Sequence, residues 1–220
     1  MMRKTSRGSR AEDWHPHAWQ TQSLLLGYPD AHFARHLDLA ARVAAGLPQP
    51  VARPLLDFTA HAGRTAPDDL ATAYVATFDH RKRCCLYLTY YTHGDTRKRG
   101  PALLRLKQAY AAAGRRLSDD ELPDHLAVVL EFAATEPDAG VRLLTEHRAG
   151  LELLRLALTD DGSPWACVLD SVSATLPALA GDEREAVLRL AAAGPPDEQV
   201  GLDPYATPVL LPDPTVRGPR

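Results

Sequence analysis

Apolar residues recur three and four positions apart along most of this chain, which is the spacing of one face of an α-helix. Glycine and proline interrupt the pattern, as at Gly27-Tyr28-Pro29 and Gly46-Leu47-Pro48. The pattern predicts helices over residues 14–26, 30–46, 55–62, 67–78, 96 or 100 to 113, 121–133, 137–158, 163–176 and 182–193. Most of the chain is therefore expected to form amphipathic helices joined by short connections.

Two segments are less clear from periodicity. Residues 84–91 are continuously apolar and aromatic, which fits a buried strand or a buried helix. Because the chain offers no other strand candidate, helix is the favoured prediction. Residues 50–54 begin and end with proline and are predicted to be a connector, and the helix that begins at Pro137 is expected to break near Gly150.

Composition strengthens the helical prediction. The 220 residues include 35 Ala, 33 Leu and only 12 Val, with no Ile, and strands are usually richer in β-branched residues. We predict an all-α, single-domain multi-helix bundle over residues 14–194. A disordered basic leader is expected at 1–13, and an extended or disordered tail at 195–220, where seven of 26 residues are proline.

Charge and cysteine content exclude several classes of protein. A formal net charge of -3 gives no reason to expect nucleic acid as a partner. The sequence has no apolar run long enough to enter a membrane directly. Cys84 and Cys85 are adjacent and Cys167 stands alone, without a C-x-x-C pair, so we expect reduced thiols, a cytoplasmic location, and no metal or cofactor bound by the chain.

No catalytic motif is present. The sequence lacks a G-x-S-x-G elbow, a G-x-G-x-x-G loop and a G-x-x-x-x-G-K-[ST] loop. His32 and His36 have the helical spacing of a metal pair, but no further ligand joins them in a known pattern. We therefore predict no catalytic residue and no metal site.

The segment that begins at Glu121 carries the first candidate site. Ser118 and Glu121 have the spacing of a capping box, and Pro123 suits a first helical turn. Asp124 and His125 would then lie at an accessible helix start above the apolar stripe that Leu126 begins. This pair is either a helix cap with a locally bonded histidine, or a carboxylate and an imidazole that bind polar groups of a partner.

Basic clusters flank an aromatic segment and form the second candidate. Tyr87, Tyr90 and Tyr91 lie between Arg81-Lys82-Arg83 and Arg97-Lys98-Arg99. The simplest interpretation is a solvated basic rim. The alternative is an anion or peptide-carbonyl site beside aromatic anchors, a composition that is enriched in recognition surfaces.

Two stretches together resemble a known family. One runs from Tyr74 to Asp79 and on through Leu86-Tyr87-Leu88-Thr89-Tyr90-Tyr91-Thr92-His93-Gly94-Asp95-Thr96-Arg97-Lys98-Arg99-Gly100, and the other from Glu121 to Phe132. They are similar to the delta-subunit chaperones of respiratory nitrate reductase, in the wider group of redox-enzyme maturation chaperones. The resemblance covers roughly residues 20–180.

The resemblance implies an all-helical, cytoplasmic, non-catalytic protein. Such chaperones bind the apo catalytic (alpha) subunit of nitrate reductase, chiefly through its N-terminal segment, and hold it for molybdenum cofactor and iron–sulfur insertion. A partner helix would lie in an aromatic-lined groove with a charged lip. The predicted partner-binding residues are Tyr87, Tyr90, Tyr91, Asp95, Arg97, Arg99, Glu121, Leu122, Pro123, Asp124, His125 and Leu126.

Three other functions remain open from the sequence. The chain could serve another molybdoenzyme, such as a dimethyl sulfoxide or trimethylamine N-oxide reductase. It could be a small helical hydrolase, or a structural subunit that stays in the finished complex. The Thr-Tyr-Tyr-Thr-x-Gly-Asp-Thr-Arg string favours nitrate reductase over the other reductases.

Overall fold

The computed structural model describes residues 13–118 and 121–193. Over these ranges every regular element is helical, which confirms the all-α prediction. The helices are α1 His15–Leu25, α2 Phe33–Ala44, α3 Gln49–Ala62, α4 Pro67–Phe78, α5 Tyr90–His93, α6 Arg99–Ala112, α7 Leu126–Thr135, α8 Pro137–Glu146, α9 Arg148–Asp160, α10 Ala166–Ala174 and α11 Gly181–Ala193. A 3-10 turn, Lys82–Cys84, precedes α5.

Helix α1 lies at the centre of the packing. It contacts α2, α7 and α10, while α3 packs on α2 and α10, and α9 packs on α10 and α11. Trp19 is fully buried, and its indole N–H donates to the Thr175 hydroxyl at 2.9 Å. Burial of such large side chains is the main source of stability in a helical protein of this size.

Aromatic rings join α4 to α10. The buried ring of Trp165 makes edge contacts with Tyr74 and Phe78, with centroids 5.5 and 5.4 Å apart, and a tilted contact with Phe58 at 5.8 Å. The Tyr74 hydroxyl donates to the Leu26 carbonyl at 2.9 Å. Edge-to-face geometry of this kind adds to the gain from burial.

The segment 84–91 is not the helix that the sequence favoured. The 3-10 turn ends at Cys84, the chain is then extended, and α5 begins only at Tyr90. The Tyr91 hydroxyl shares its single proton between the carbonyls of Arg83 and Cys85, at 3.0 and 2.9 Å. These bonds satisfy carbonyls that a continuous helix would have bonded internally, so the irregular path is stable.

Three predicted helix boundaries were also wrong. Helix α7 begins at Leu126 rather than at Glu121. Helix α3 begins at Gln49 and continues through Pro54, because its buried face outweighs the one hydrogen bond that this proline removes. The break predicted near Gly150 lies at His147, and Gly150 is inside α9.

Gly150 lies at a point of close packing. A Cβ at this position would lie 3.1 Å from the Tyr91 Cβ and 3.3 Å from the Leu88 carbonyl oxygen. The glycine therefore allows α9 to approach the segment that leads into α5.

The predicted leader and the predicted tail lie outside the described residues, apart from Asp13. No helix in the described part of the chain is long and apolar enough to cross a membrane.

Candidate functional site

Two irregular segments of chain meet where α7 begins, in an isolated antiparallel bridge between Tyr87 and His125. The N–H of Leu88 donates to the Asp124 carbonyl at 3.0 Å, and the N–H of Leu126 donates to the Leu86 carbonyl at 2.8 Å. Helix α7 has no side-chain cap, so the Leu86 carbonyl satisfies its first N–H instead. The two family-like stretches of the sequence are thus joined by their backbones, and we call this junction the corner.

A buried carboxylate holds the corner together. Asp124 is fully buried, and its Oδ2 accepts from the Thr89 hydroxyl at 2.5 Å and from the Thr89 N–H at 3.3 Å. Arg99 Nη2 donates to both oxygens of Asp124, at 3.0 and 3.2 Å, and Arg99 Nε donates to the Thr89 hydroxyl at 3.1 Å. These bonds tie the start of α6 and the residue before α5 to the entry of α7.

The outer side of the corner is a stack of three side chains. The Arg99 guanidinium lies over the Tyr87 ring at 5.2 Å, and the Tyr87 and His125 rings meet edge to face at 5.4 Å. Burial lowers the pKa of His125 below its ordinary 6.5, partly offset by the nearby Asp124 and Glu121. Burial therefore favours the neutral form of this imidazole.

Gly94 ends α5 in a conformation that other residues avoid. Its φ of 59° and ψ of -159° lie in a region that is almost restricted to glycine. Its N–H donates to the Tyr90 carbonyl at 2.7 Å, and the chain then turns towards Arg99. This glycine lets the short α5 and the longer α6 follow each other closely.

The structure divides the predicted partner-binding residues into two groups. The side chains of Tyr91, Pro123, Asp124 and Leu126 are buried, so their predicted position at an accessible groove is wrong. Burial of the Asp124 carboxylate is possible because the Arg99 guanidinium and the Thr89 hydroxyl and N–H bond to it, which a linear pattern does not report.

The remaining eight predicted residues keep some exposure. Asp95 has 92% of its side chain exposed and Arg99 only 16%, with 4.0 Å between the Asp95 carboxylate and the Arg99 guanidinium. The exposed residues are Asp95, Arg97, Glu121 and Leu122, and the half-buried ones are Tyr87, Tyr90, Arg99 and His125. Their contact with a partner stays a prediction.

An open groove lies beside the corner, between α6 and α8. Its volume is about 560 Å³, within the range of protein ligand sites. Its floor is made of small and aliphatic side chains: Ala102, Leu106, Ala109, Ala113, Ala139 and Leu143. The small side chains leave open the space that a larger apolar surface could fill. We call this feature the α6–α8 groove.

Charged groups surround this floor. Arg105 and Arg142 line the groove, and neither lies within 4.0 Å of a carboxylate among the described residues. Glu146 is the acidic residue in the lining, beside His93 and His147. Burial lowers the pKa of His147 below its ordinary 6.5, although Glu146 and Asp124 partly offset this effect. Two arginines against one glutamate give the rim a positive formal charge.

Sequence reasoning missed this groove. Ala102, Leu106, Ala109 and Ala113 follow the i, i+4, i+7, i+11 spacing of a helix face, which was visible in the sequence. Alanine stripes usually pack against a neighbouring helix, so the spacing alone gives no reason to expect an open surface. A smaller cleft of about 260 Å³ lies between the end of α6 and α7 and includes Glu121.

Comparison with known proteins then identifies the relatives of this chain. Residues 44–169, more than half of its length, match the family described as the nitrate reductase delta subunit. The chain belongs to this family. Both family-like stretches lie within the matched range, so the resemblance predicted from them is confirmed.

Individual proteins that are similar to this chain carry related names. The chain is 42% identical over 164 residues to the nitrate reductase-like protein NarX of Mycobacterium tuberculosis (strain H37Rv), covering 74% of this chain and 25% of NarX. It is 34% identical over 152 residues to the nitrate reductase molybdenum cofactor assembly chaperone NarJ of Escherichia coli (strain K12), covering 67% of this chain and 64% of NarJ. The chain thus spans about a quarter of the length of NarX and about two thirds of this NarJ.

A Bacillus subtilis protein assigned as the same chaperone, NarJ, is 33% identical over 156 residues, covering 70% of this chain and 85% of the relative. The crystal structure of a proposed redox enzyme maturation protein from Archaeoglobus fulgidus superposes with a TM-score of 0.52 at 21% identity, covering 86% of this chain and 99% of that one. At that identity the likeness concerns the fold alone.

Proposed function

We propose that this delta-subunit relative is a cytoplasmic, non-catalytic assembly chaperone of respiratory nitrate reductase. It binds the N-terminal segment of the apo catalytic subunit and holds that subunit until the molybdenum cofactor and the iron–sulfur cluster are inserted. The observation that carries this proposal is the α6–α8 groove, an open apolar channel in a chain whose relatives include assembly chaperones of this reductase.

The groove suits an amphipathic helix. Its floor of alanine and leucine offers apolar contact without bulky side chains, so a helix could approach closely and insert larger side chains between them. The charged rim then fixes the orientation of the helix and its rate of capture. Such a mode of binding needs no catalytic group and leaves the partner chemically unchanged.

The corner acts in this proposal as the frame of the groove. Arg99 begins α6, and its bonds to Asp124 and Thr89 fix that helix against α7 and α5. His93, at the end of α5, lines the groove. Asp124 therefore positions one wall of the binding surface and does not contact the partner itself.

Surface residues near the corner extend the contact area. Asp95, Arg97 and Leu122 are exposed, and Leu122 leaves 42% of its surface to solvent. We propose that they meet polar and apolar groups of the partner beyond the groove, as their positions in the family-like stretches first suggested. Rim contacts of this kind change binding by less than a buried anchor does.

Relatives named for nitrate reductase favour this enzyme over the other reductases considered from the sequence. They equally favour a transient chaperone over a structural subunit, because the relatives are named for assembly.

The test is a titration of a fluorescent peptide from the N-terminal segment of the catalytic subunit against the full chain. Ala112 lines the groove and is exposed, so Ala112→Trp fills the channel with little change to the core. We expect binding at least about tenfold weaker, about 1.4 kcal/mol.

The matched control is Ala111→Trp. Ala111 is an exposed neighbour on the same helix and does not line the groove, so this variant carries the same loss of helix propensity. Equal affinity of the two variants would remove the groove from the binding surface. Failure of the peptide to bind the wild-type chain would reject the proposed function itself.

A further inference from the structure

The segment that contains α6 is rich in basic residues, although Arg99 and Arg115 are paired with Asp124 and Glu136. Residues 97–116 contain seven Lys or Arg and no Asp or Glu. Two guanidinium groups, that of Arg105 from this segment and that of Arg142 from α8, line the channel without an ion pair among the described residues. A segment that combines apolar side chains with negative charge would complement this surface.

This chain itself contains such a segment, in the sequence that follows α11. Residues 197–213 carry four acidic residues, Asp197, Glu198, Asp203 and Asp213, and no Lys or Arg. The same stretch carries the apolar side chains of Val200, Leu202, Tyr205, Val209, Leu210 and Leu211. Its charge is opposite to that of the groove, and its apolar side chains match the apolar floor.

Distance does not prevent the segment from reaching the groove. Twenty residues separate Ala193, where α11 ends, from Asp213, and an extended chain of that length spans about 66 Å. A folded body of about 180 residues has a radius of gyration of roughly 16 Å. Helix α11 also packs on α9, whose first residue directly follows His147 in the groove lining.

We propose that residues 197–213 of this chain occupy the α6–α8 groove when no partner is bound. The segment is tethered, so its effective concentration is on the order of millimolar, and weak contacts are enough for high occupancy. A second step rests on the proposed function: the catalytic subunit must displace this segment, so the chaperone binds it less tightly than an empty groove would.

Photocrosslinking in the full chain tests the first step without any partner. Tyr205 is replaced by p-benzoylphenylalanine, the protein is irradiated, and crosslinked peptides are identified by mass spectrometry. We expect crosslinks within one chain to α6 and α8, at least about fivefold reduced in the Arg105→Glu, Arg142→Glu double variant. Both arginines are exposed, and circular dichroism checks that the variant is folded.

The same photoreactive residue in place of Tyr28 is the control. Tyr28 is 55% exposed and lies between α1 and α2, outside the groove lining, so it should not label α6 or α8. Three results would overturn the proposal: crosslinks from position 205 to other surfaces, no crosslinks at all, or a crosslink yield that the two arginine substitutions leave unchanged. Crosslinks only between two chains would also overturn it, because the occupant would then be the segment of a second copy.

Competition is measured separately. A full chain that carries Asp197→Asn, Glu198→Gln, Asp203→Asn and Asp213→Asn should bind the catalytic-subunit peptide about five- to tenfold more tightly than wild type. Unchanged affinity would overturn the second step. If the peptide binds neither protein, the proposed function fails while the crosslinking result still decides the first step.

Discussion

The corner and the α6–α8 groove lie side by side and are built on opposite principles. The corner is polar and closed: Asp124 is fully buried, and its partners Thr89 and Arg99 satisfy both carboxylate oxygens. The groove is apolar and open, with a floor mostly of alanine. The distinctive residues of the sequence are thus in the closed region, and the ordinary ones form the open surface.

This contrast separates two ways in which a residue can matter to binding. A buried, fully bonded carboxylate fixes geometry, since breaking its network leaves an uncompensated charge inside the protein. An alanine on the open floor of the groove affects binding because its small side chain leaves space for a larger side chain of a partner. Variants of the corner should therefore change stability first, whereas variants of the groove should change affinity at nearly constant stability.

The largest effect is expected at the centre of the corner. Asp124→Ala leaves the Arg99 guanidinium, with only 16% of its side chain exposed, without its buried partner. We expect the free energy of unfolding to fall by about 3–5 kcal/mol. Urea denaturation measures this loss, and the slope of unfolding free energy against urea concentration should stay unchanged.

Asp95→Ala is the matched control for Asp124→Ala. Asp95 faces the same guanidinium at 4.0 Å but is 92% exposed, so its removal should change stability by less than about 0.5 kcal/mol. Similar losses in the two variants would contradict the view that burial of the pair fixes the corner.

A smaller effect is expected where α8, one wall of the groove, crosses α7. A Cβ on Gly140 would lie 2.2 Å from the Ala133 Cα, so Gly140→Ala must push the two helices apart. We expect a loss of about 1–3 kcal/mol, as for other overpacked sites, together with weaker binding of the catalytic-subunit peptide.

Gly100→Ala provides the contrast for Gly140→Ala. Gly100 lies in the first turn of α6, and a Cβ there meets nothing within 4 Å. Because Pro101 follows and disfavours helical backbone for a residue that has a Cβ, the gain in helix propensity is offset, and this change should alter stability by less than about 1 kcal/mol. If Gly140→Ala were equally harmless, the tight crossing of α7 and α8 would not define the groove wall.

The smallest expected effect is on the pH dependence of stability, and it involves one histidine from each region. Burial lowers the folded-state pKa of His125 in the corner and of His147 in the groove below the ordinary 6.5. Around and below pH 6.5 the unfolded chain then binds more protons at these histidines than the folded chain does. The contribution of the two histidines to stability is therefore present above that pH and is lost as the pH falls. Wild-type protein should be less stable at pH 5.5 than at pH 7.5.

His125→Gln and His147→Gln should each reduce this pH-dependent loss, as measured by urea midpoints at the two pH values. The lowered pKa of Glu152, caused by its hydrogen bonds to Arg155 and Ser173 against the opposing effect of burial, affects stability only below its ordinary 4.5 and does not interfere. A midpoint difference that both variants retain in full would show that neither histidine is responsible.

Much of the fold could be predicted from the sequence because helices are local. Periodic apolar residues and flanking Gly or Pro placed α1, α2, α4, α10 and α11 within a few residues of their observed bounds. The misplaced boundaries lie where long-range contacts override local signals. Residues 85–89 are not helical because the backbone of residues 86–88 bonds to that of residues 124–126, and α3 tolerates Pro54 because its face is buried.

The sequence by itself determined the all-helical architecture and the family, because helical periodicity and two specific motifs are properties of short stretches of chain. Only the tertiary structure decided which residues face outward. Asp124 is polar and yet buried, since Arg99, 25 positions earlier, reaches it. Ala109 is apolar and yet lines an open channel, since α6 and α8 leave a groove between them there. Exposure depends on where distant elements pack, and no local pattern encodes that.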